Sequence, residues 1–198
     1  ANYLEPSNTP MDNLSFLLTM TALFWGVTHH SGLLMSTILD SGNEHRLGAN
    51  EAPPAIISIY LGSYLTELFD HIEDVKTFTE KEIKVINHGL EAMPKIVKDF
   101  SDRNRTSPLA FTGNKFELRA LGASANGSSA ATVLNMMCAT GYKEIISKLK
   151  DKTGDVRKNA LLVIKDMLRE TKAVRFEGDN YSDEWHKEAK DKRKLYNP

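Results

Sequence analysis

Residues 104 to 119 read NRTSPLAFTGNKFELR, a pattern that predicts a β-hairpin. Apolar Phe111, Phe116 and Leu118 mark strand positions on the two sides of a TGN turn at 112 to 114. The glycine in this turn permits the positive φ that tight hairpin turns require. We therefore expect two strands that meet at this turn.

The strand after the turn carries charge on one face only. Side chains alternate along a strand, so Lys115, Glu117 and Arg119 are expected on one face, with Phe116 and Leu118 on the other. Glu117 is the only acid in its neighbourhood, and hard cations such as Mg²⁺ bind carboxylate oxygens. The pattern favours a metal- and phosphate-binding wall, and an ordinary solvent-exposed strand face is the alternative.

The N-terminal part predicts a long buried helix. Thr9 is a candidate N-cap followed by proline, and the apolar pattern continues to Leu39, with Ser41 and Gly42 as a stop. The element is apolar on nearly all sides, which indicates burial. Glycines at 26 and 32 are candidate bends.

The middle of the chain predicts a strand at 55 to 61 and an amphipathic helix at 65 to 75. Residues 76 to 100 are charged and are interpreted as a surface insertion, with a capping box from Thr79 to Glu82.

Two helices are predicted after the hairpin, at 130 to 150 and 155 to 171. Residues 174 to 198 form a charged C-terminal extension with a helical segment at 183 to 194. The whole order predicts an α+β fold, with an antiparallel sheet and segregated helices, as part of one domain at 1 to 198.

Composition excludes several classes of protein. A formal net charge of −1 over 198 residues argues against non-specific nucleic-acid binding. The longest apolar run, 14 to 27, is shorter than the ~20 residues that span a bilayer. The single cysteine, Cys138, suits a reducing compartment. No HExxH, CxxC, GxSxG or GxxxxGK[ST] motif is present, which argues against zinc proteases, α/β-hydrolases and P-loop enzymes. The start at Ala1 suggests a fragment or a processed chain.

Two further polar segments carry candidate groups. In the loop at 43 to 54, Arg46 could bind a substrate carboxylate and Glu51 could act as a general base or bind ammonium on a mobile flap. The same residues also fit an exposed polar turn. Arg105 could bind phosphate or be a surface charge.

Four strings together resemble the catalytic region of type III glutamine synthetases. They are NEHRLGANEAPPAIISIYLG at 43 to 62, DRNRTSPLAFTGNKFELRALG at 102 to 122, TVLN at 132 to 135, and VRFEGDNYSDEWHKEA at 174 to 189. The resemblance also extends back through Leu4-Glu5-Pro6 and Asn13-Leu14, so it runs along almost the whole chain. The resemblance implies part of a glutamine synthetase catalytic-domain fold, incomplete in this chain.

The resemblance implies a reaction in which ATP phosphorylates glutamate and ammonia displaces the phosphate, giving glutamine. It implies ATP and Mg²⁺ or Mn²⁺ as cofactors, glutamate and ammonia as partners, and a cytoplasmic homo-oligomer with shared active sites that binds no nucleic acid and no membrane. The implied roles are glutamate binding for Arg46 and Arg119, ammonium deprotonation for Glu51, phosphoryl contact for Arg105, nucleotide-phosphate binding for Lys115, and metal binding for Glu117.

Other metal-binding glutamates of this family precede the stretch that this chain resembles. We therefore expect about half of the site here and no turnover by this chain alone. A non-catalytic structural or regulatory relative of the same fold is an alternative. Another carboxylate–amine ligase, or a guanidino-kinase-like enzyme of the same broad fold, is a further one.

Overall fold

The computed structural model describes residues 1–39, 43, 56–92, 107–122 and 125–195. Short 3₁₀ helices lie at Pro10–Asp12 and Lys172–Val174. The longer elements are α1 (Leu14–Ser36), β1 (Ile59–Tyr60), α2 (Ser63–Asp74), α3 (Glu80–Glu91), β2 (Leu109–Phe111), β3 (Phe116–Leu118), α4 (Ser128–Leu149), α5 (Val156–Glu170) and α6 (Asp183–Asp191). This mixed helical fold with a small sheet confirms the α+β class.

The sheet has the order β1-β2-β3, and it is mixed. The β2–β3 hairpin is antiparallel as predicted, with Phe111 opposite Phe116, and Gly113 has a φ of +95° in the turn. The β1–β2 pair is parallel, so the prediction of an antiparallel sheet is wrong there. A parallel pair needs a long crossover, here the chain between β1 and β2, whereas the hairpin needs only a turn.

Strand β1 is shorter than the predicted run at 55 to 61. Ile56 and Ile57 are buried outside the strand, so their β-branched side chains contribute to the core without joining the ladder. Phe176 donates its backbone N–H to the Ile59 oxygen at 3.0 Å, and Arg175 forms an isolated parallel bridge with Ile59. The C-terminal segment therefore lies along the other edge of β1.

Helix α1 begins later than the sequence suggests. Thr9 precedes a 3₁₀ helix and makes no side-chain cap, while the Asn13 side chain accepts from the Phe16 N–H and caps α1. The prediction of Thr9 as the N-cap of the long helix is therefore wrong. The backbone leaves helical geometry at His30, between the two glycines that were candidate bends.

The core lies between α1, α2 and the sheet. Phe16 on α1 meets Phe111 on β2 with ring centroids 6.3 Å apart, and Phe24 meets Phe69 on α2 at 5.2 Å, both edge to face. All four phenylalanines are fully buried. Edge-to-face pairs of this kind add stability beyond the burial of their area.

Helices α1 and α4 cross at very short range. A Cβ placed on Gly141 would lie 2.1 Å from the backbone oxygen of Ala22, and one on Gly26 would lie 2.6 Å from the Met137 Cβ. Only glycine at these positions allows the two backbones to approach this closely. This contact places α4 directly behind α1, on which the sheet packs.

Helix α3 shows that the charged middle segment contributes to the core. The predicted capping box is confirmed: Thr79 accepts from the Glu82 N–H, and the Glu82 carboxylate accepts from the Thr79 N–H. Ile86 and Leu90 are buried in the main core. The assignment of 76 to 100 as a surface insertion stays a prediction.

Candidate functional site

The predicted charged face of the hairpin forms in the structure. The Glu117 carboxylate accepts hydrogen bonds from Arg119 Nη2 at 2.9 Å and Nε at 3.2 Å, and Lys115 Nζ lies 3.8 Å from its other oxygen. Phe116 and Leu118 pack against the core from the opposite face. The three charged side chains are therefore brought together, and Lys115 is the most exposed of them.

Glu117 is held in its ionised form. The hydrogen bond from Arg119 and the charge of its guanidinium hold the pKa of Glu117 below its usual range, although partial desolvation opposes this. The carboxylate is 39% exposed, which leaves it reachable from solvent. An ionised, accessible carboxylate next to two cations can bind a hard cation or organise cations around an anionic ligand.

A buried asparagine joins the hairpin to the loop after α1. Asn43 is 1% exposed, and its side-chain amide donates to the Ala120 oxygen at 2.7 Å and to the Ile38 oxygen at 2.9 Å. Ala120 directly follows Arg119. The start of the loop that contains Arg46 is therefore fixed beside Arg119.

Two buried serines join the starts of the parallel strands. Ser58 precedes β1 and Ser107 precedes β2, and their hydroxyl oxygens are 2.9 Å apart. Next to them, the Arg119 N–H donates to the Pro108 oxygen at 2.8 Å. We call this end of the sheet, marked by Ser58, Ser107 and Ala120, the start edge.

Three predicted site residues lie outside the described residues: Arg46, Glu51 and Arg105. Their roles stay predictions. The residues that flank their segments and are described, namely Asn43, Ile56 and Ser107, are all buried. Neither the asparagine nor the two serines was recognised from sequence, because single polar residues in loops carry no pattern.

Comparison with known proteins identifies the family. The chain is 40% identical over 194 residues to the glutamine synthetase of Bacteroides fragilis (strain YCH46), covering 95% of this chain and 27% of that protein. It is 42% identical over 194 residues to the type-3 glutamine synthetase of Dictyostelium discoideum, covering 96% of this chain and 26% of that protein. Over this stretch the chain belongs to the glutamine synthetase family.

The family match is also seen at the C-terminus. A family model described as the glutamine synthetase C-terminal domain matches residues 159–198. The glutamine synthetase of Butyrivibrio fibrisolvens is 37% identical over 193 residues, covering 95% of this chain and 27% of that protein. The chain thus spans about a quarter of the length of these curated relatives.

An arginine in the part matched by the C-terminal domain model forms a buried ion pair with α2 that was not predicted from the sequence. Arg175 and Glu73, which are 7% and 6% exposed, form a salt bridge. Lys172 Nζ lies 3.0 Å from the second Glu73 oxygen and 3.4 Å from Asp70. The hydrogen bond to Glu73 raises the pKa of Lys172. Arg175 lies inside a string that resembles glutamine synthetases, but its partner is 102 residues away.

The described residues contain neither a metal-binding cluster nor a helix that could span a membrane. No cluster of three or more His, Cys, Asp or Glu side chains that could hold a metal ion occurs among them. None of their helices is long and apolar enough to cross a membrane. His29 and His30, adjacent on α1, are partly exposed, and His29 lies 3.3 Å from Glu170 and stacks on Trp25.

Proposed function

We propose that this chain forms part of the active site of an ATP-dependent glutamate–ammonia ligase, within a glutamine synthetase catalytic-domain fold. The observation that carries the proposal is the start edge. There, hydrogen bonds of Asn43, Ser58 and Ser107 fix the ends of the segments that contain Arg46, Glu51 and Arg105 beside Arg119.

The covalent chain limits how far these groups can lie from the start edge. A chain extends by at most about 3.6 Å per residue, so the Cα of Arg105 is within about 7 Å of that of Ser107. By the same limit, the Cα of Arg46 is within about 11 Å of that of Asn43. These limits are compatible with a shared site at this end of the sheet.

The roles follow from the chemistry of each group. Arg46 would hold a carboxylate of glutamate, because a planar guanidinium binds a carboxylate with two parallel hydrogen bonds. Arg119, which already donates to Glu117 through Nε and Nη2, would contribute its positive charge at the reacting carboxylate. Arg105 would stabilise the transferred phosphoryl group. Glu51 would take the proton from ammonium, so that neutral ammonia attacks the activated γ-carboxyl group.

Glu117 and Lys115 would serve the nucleotide. A divalent cation, Mg²⁺ or Mn²⁺, would screen the phosphate charges when bound. Glu117 fits as one of its ligands, since its carboxylate is ionised and accessible, and Lys115 is exposed beside it for contact with phosphate oxygens. Among the described residues no acidic cluster completes the set, so the other ligands would come from elsewhere.

This distribution predicts that the isolated 198-residue chain makes no glutamine, because one carboxylate cannot assemble a multi-metal phosphoryl-transfer site. A protein that includes this chain and has the length of its relatives, which we call the long form, would be active as a homo-oligomer. Glutamine formation by both forms, measured with ATP, glutamate and ammonium, tests this. Robust turnover by the isolated chain would contradict the proposal that it holds only part of the active site. No turnover by the long form would favour the alternative, a non-catalytic protein of the same fold.

The role of Glu117 is tested separately in the long form. Glu117→Gln removes the charge and keeps the shape, so we expect the Mg²⁺ concentration for half-maximal rate to rise at least about tenfold, as loss of a ligand charge weakens a cation site. Glu144→Gln is the matched control, since Glu144 is similarly exposed and pairs with Lys148 on the surface of α4. Equal behaviour of the two variants would exclude Glu117 as a metal ligand.

A further inference from the structure

A small apolar cluster contains Ile56, which lies three residues before the start of β1. Ile56 is 1% exposed and packs with Trp185 and Ala189 of α6, while Phe176 and Leu195 cover them. Ile56 is the one member that comes from outside the C-terminal segment. It lies five residues after Glu51 in sequence.

The aromatic part of this cluster is rigidly built. The rings of Trp185 and Phe176 stack with centroids 3.5 Å apart and planes 16° apart. The Arg193 guanidinium lies 5.0 Å from the centre of the Trp185 ring on which it packs. Ser182 caps α6 by accepting from the Trp185 N–H at 3.1 Å. The indole is thus fixed on several sides.

The cluster is also fixed relative to the sheet. The Phe176 N–H donates to the Ile59 oxygen, and Arg175 pairs with Glu73 on α2. Arg193 Nη1 donates to the Arg175 oxygen at 2.8 Å. The segment that leads to Trp185 is therefore bonded to both β1 and α2.

We propose that Trp185 is a positioning residue that acts through Ile56 on the segment carrying Glu51. Together with Phe176 and α6, it fixes the point where that segment joins the sheet at the start edge. The inference rests on the proposed function of Glu51, and it gives a role to the string at 174 to 189, which carries none of the proposed catalytic groups.

The test uses the long form of the protein with Trp185→Leu, which removes the stack on Phe176. We expect kcat for glutamine formation to fall about 10- to 100-fold, because a shift of about 1 Å in a catalytic group costs this much. The dissociation constant for ATP should stay within about twofold, since Lys115 and Glu117 belong to the β2–β3 hairpin and not to this cluster. Amide exchange at residues 56 to 58 should become faster. Trp185→Phe retains an aromatic ring and should restore kcat.

Met167→Ala is the matched control for lost stability. Met167 is fully buried in a separate cluster with Ala22, Ile145 and Val163, so its truncation lowers the melting temperature without touching Ile56. Its kcat and its exchange at 56 to 58 should equal those of the wild type. A Trp185→Leu protein that behaves like Met167→Ala would overturn the inference.

Failure of Trp185→Leu to fold and absence of glutamine formation by the wild type each leave a decisive measurement. Should Trp185→Leu not fold, Ile56→Val gives the same test with one methylene removed, and an unchanged kcat and exchange rate would count against the inference. Should the wild-type long form make no glutamine, the proposed function fails. In that case the exchange at 56 to 58 decides alone whether Trp185 fixes Ile56.

Discussion

Gly141→Ala should destabilise the protein strongly, although alanine is the better helix former. Gly141 lies inside α4, where replacing glycine by alanine normally gains about 1 kcal/mol of helix propensity. At this position the new methyl group would lie 2.1 Å from the Ala22 oxygen and 2.6 Å from the Ala22 carbonyl carbon and Cα. All three atoms belong to the backbone of α1, so no side-chain rotation relieves the overlap.

The magnitude follows from the shift that the two helices must make. An ordinary carbon–oxygen contact needs more than 3 Å, so α1 and α4 must separate by about 1 Å, and overpacking of this kind costs about 3 kcal/mol at the upper end of its usual range. After the propensity gain is subtracted, the net loss is about 2 kcal/mol. For a domain of this size, this lowers the melting temperature by about 4 to 8 °C.

Gly89→Ala is the matched control. Gly89 lies inside α3, and a Cβ there would meet nothing within 4 Å. The same substitution should therefore stabilise by about 0.5 to 1 kcal/mol. Urea unfolding followed by circular dichroism measures both variants. If Gly141→Ala is as stable as Gly89→Ala, the close crossing of α1 and α4 is refuted.

Two further perturbations test the packing of the other helices. Glu73→Gln leaves Arg175 buried without its ionic partner and should cost about 3 to 5 kcal/mol in urea unfolding, whereas a loss below 1 kcal/mol would contradict a buried pair. Thr79→Ala removes the cap of α3 and should cost about 1 kcal/mol. The backbone and side-chain hydrogen bonds from Thr79 lower the pKa of Glu82. The capping box therefore contributes its full stability above pH 4.5, the ordinary pKa of a glutamate, and this contribution is lost as the pH falls through the lowered pKa. NMR titration should show the pKa of Glu82 rising in Thr79→Ala, and an unchanged pKa would contradict the box.

Local patterns were sufficient for several elements. The hairpin was predicted from adjacent residues, since its turn glycine, its strand alternation and its apolar positions lie within ten residues of one another. The capping box of α3 and helices α4 and α5 also follow from short-range spacing, and their observed bounds, Ser128–Leu149 and Val156–Glu170, agree closely with the prediction.

Features that depend on distant residues were not predictable in this way. The Arg175–Glu73 pair joins residues 102 positions apart, and neither side chain differs in sequence from an ordinary surface charge. The cap of α1 shows the same limit at short range. Thr9 and Asn13 are both good cap residues, and the proline after Thr9 fits an α-helix as well as the 3₁₀ helix that forms. The 3₁₀ helix that forms buries Pro10 and Met11 in the core, and this tertiary packing is not visible in the local sequence.

The error in strand direction bears directly on the site. In an all-antiparallel sheet of the same order, β1 would begin next to the hairpin turn, one strand length away from Arg119, or about 10 Å for three residues. In the observed sheet β1 runs parallel to β2, so both strands begin where β3 ends. This direction brings Ser58 to Ser107, at the same end of the sheet as the Asn43–Ala120 hydrogen bond and Arg119. A ligase site that uses groups from all three segments therefore requires the parallel pair, which the local sequence of β1 does not specify.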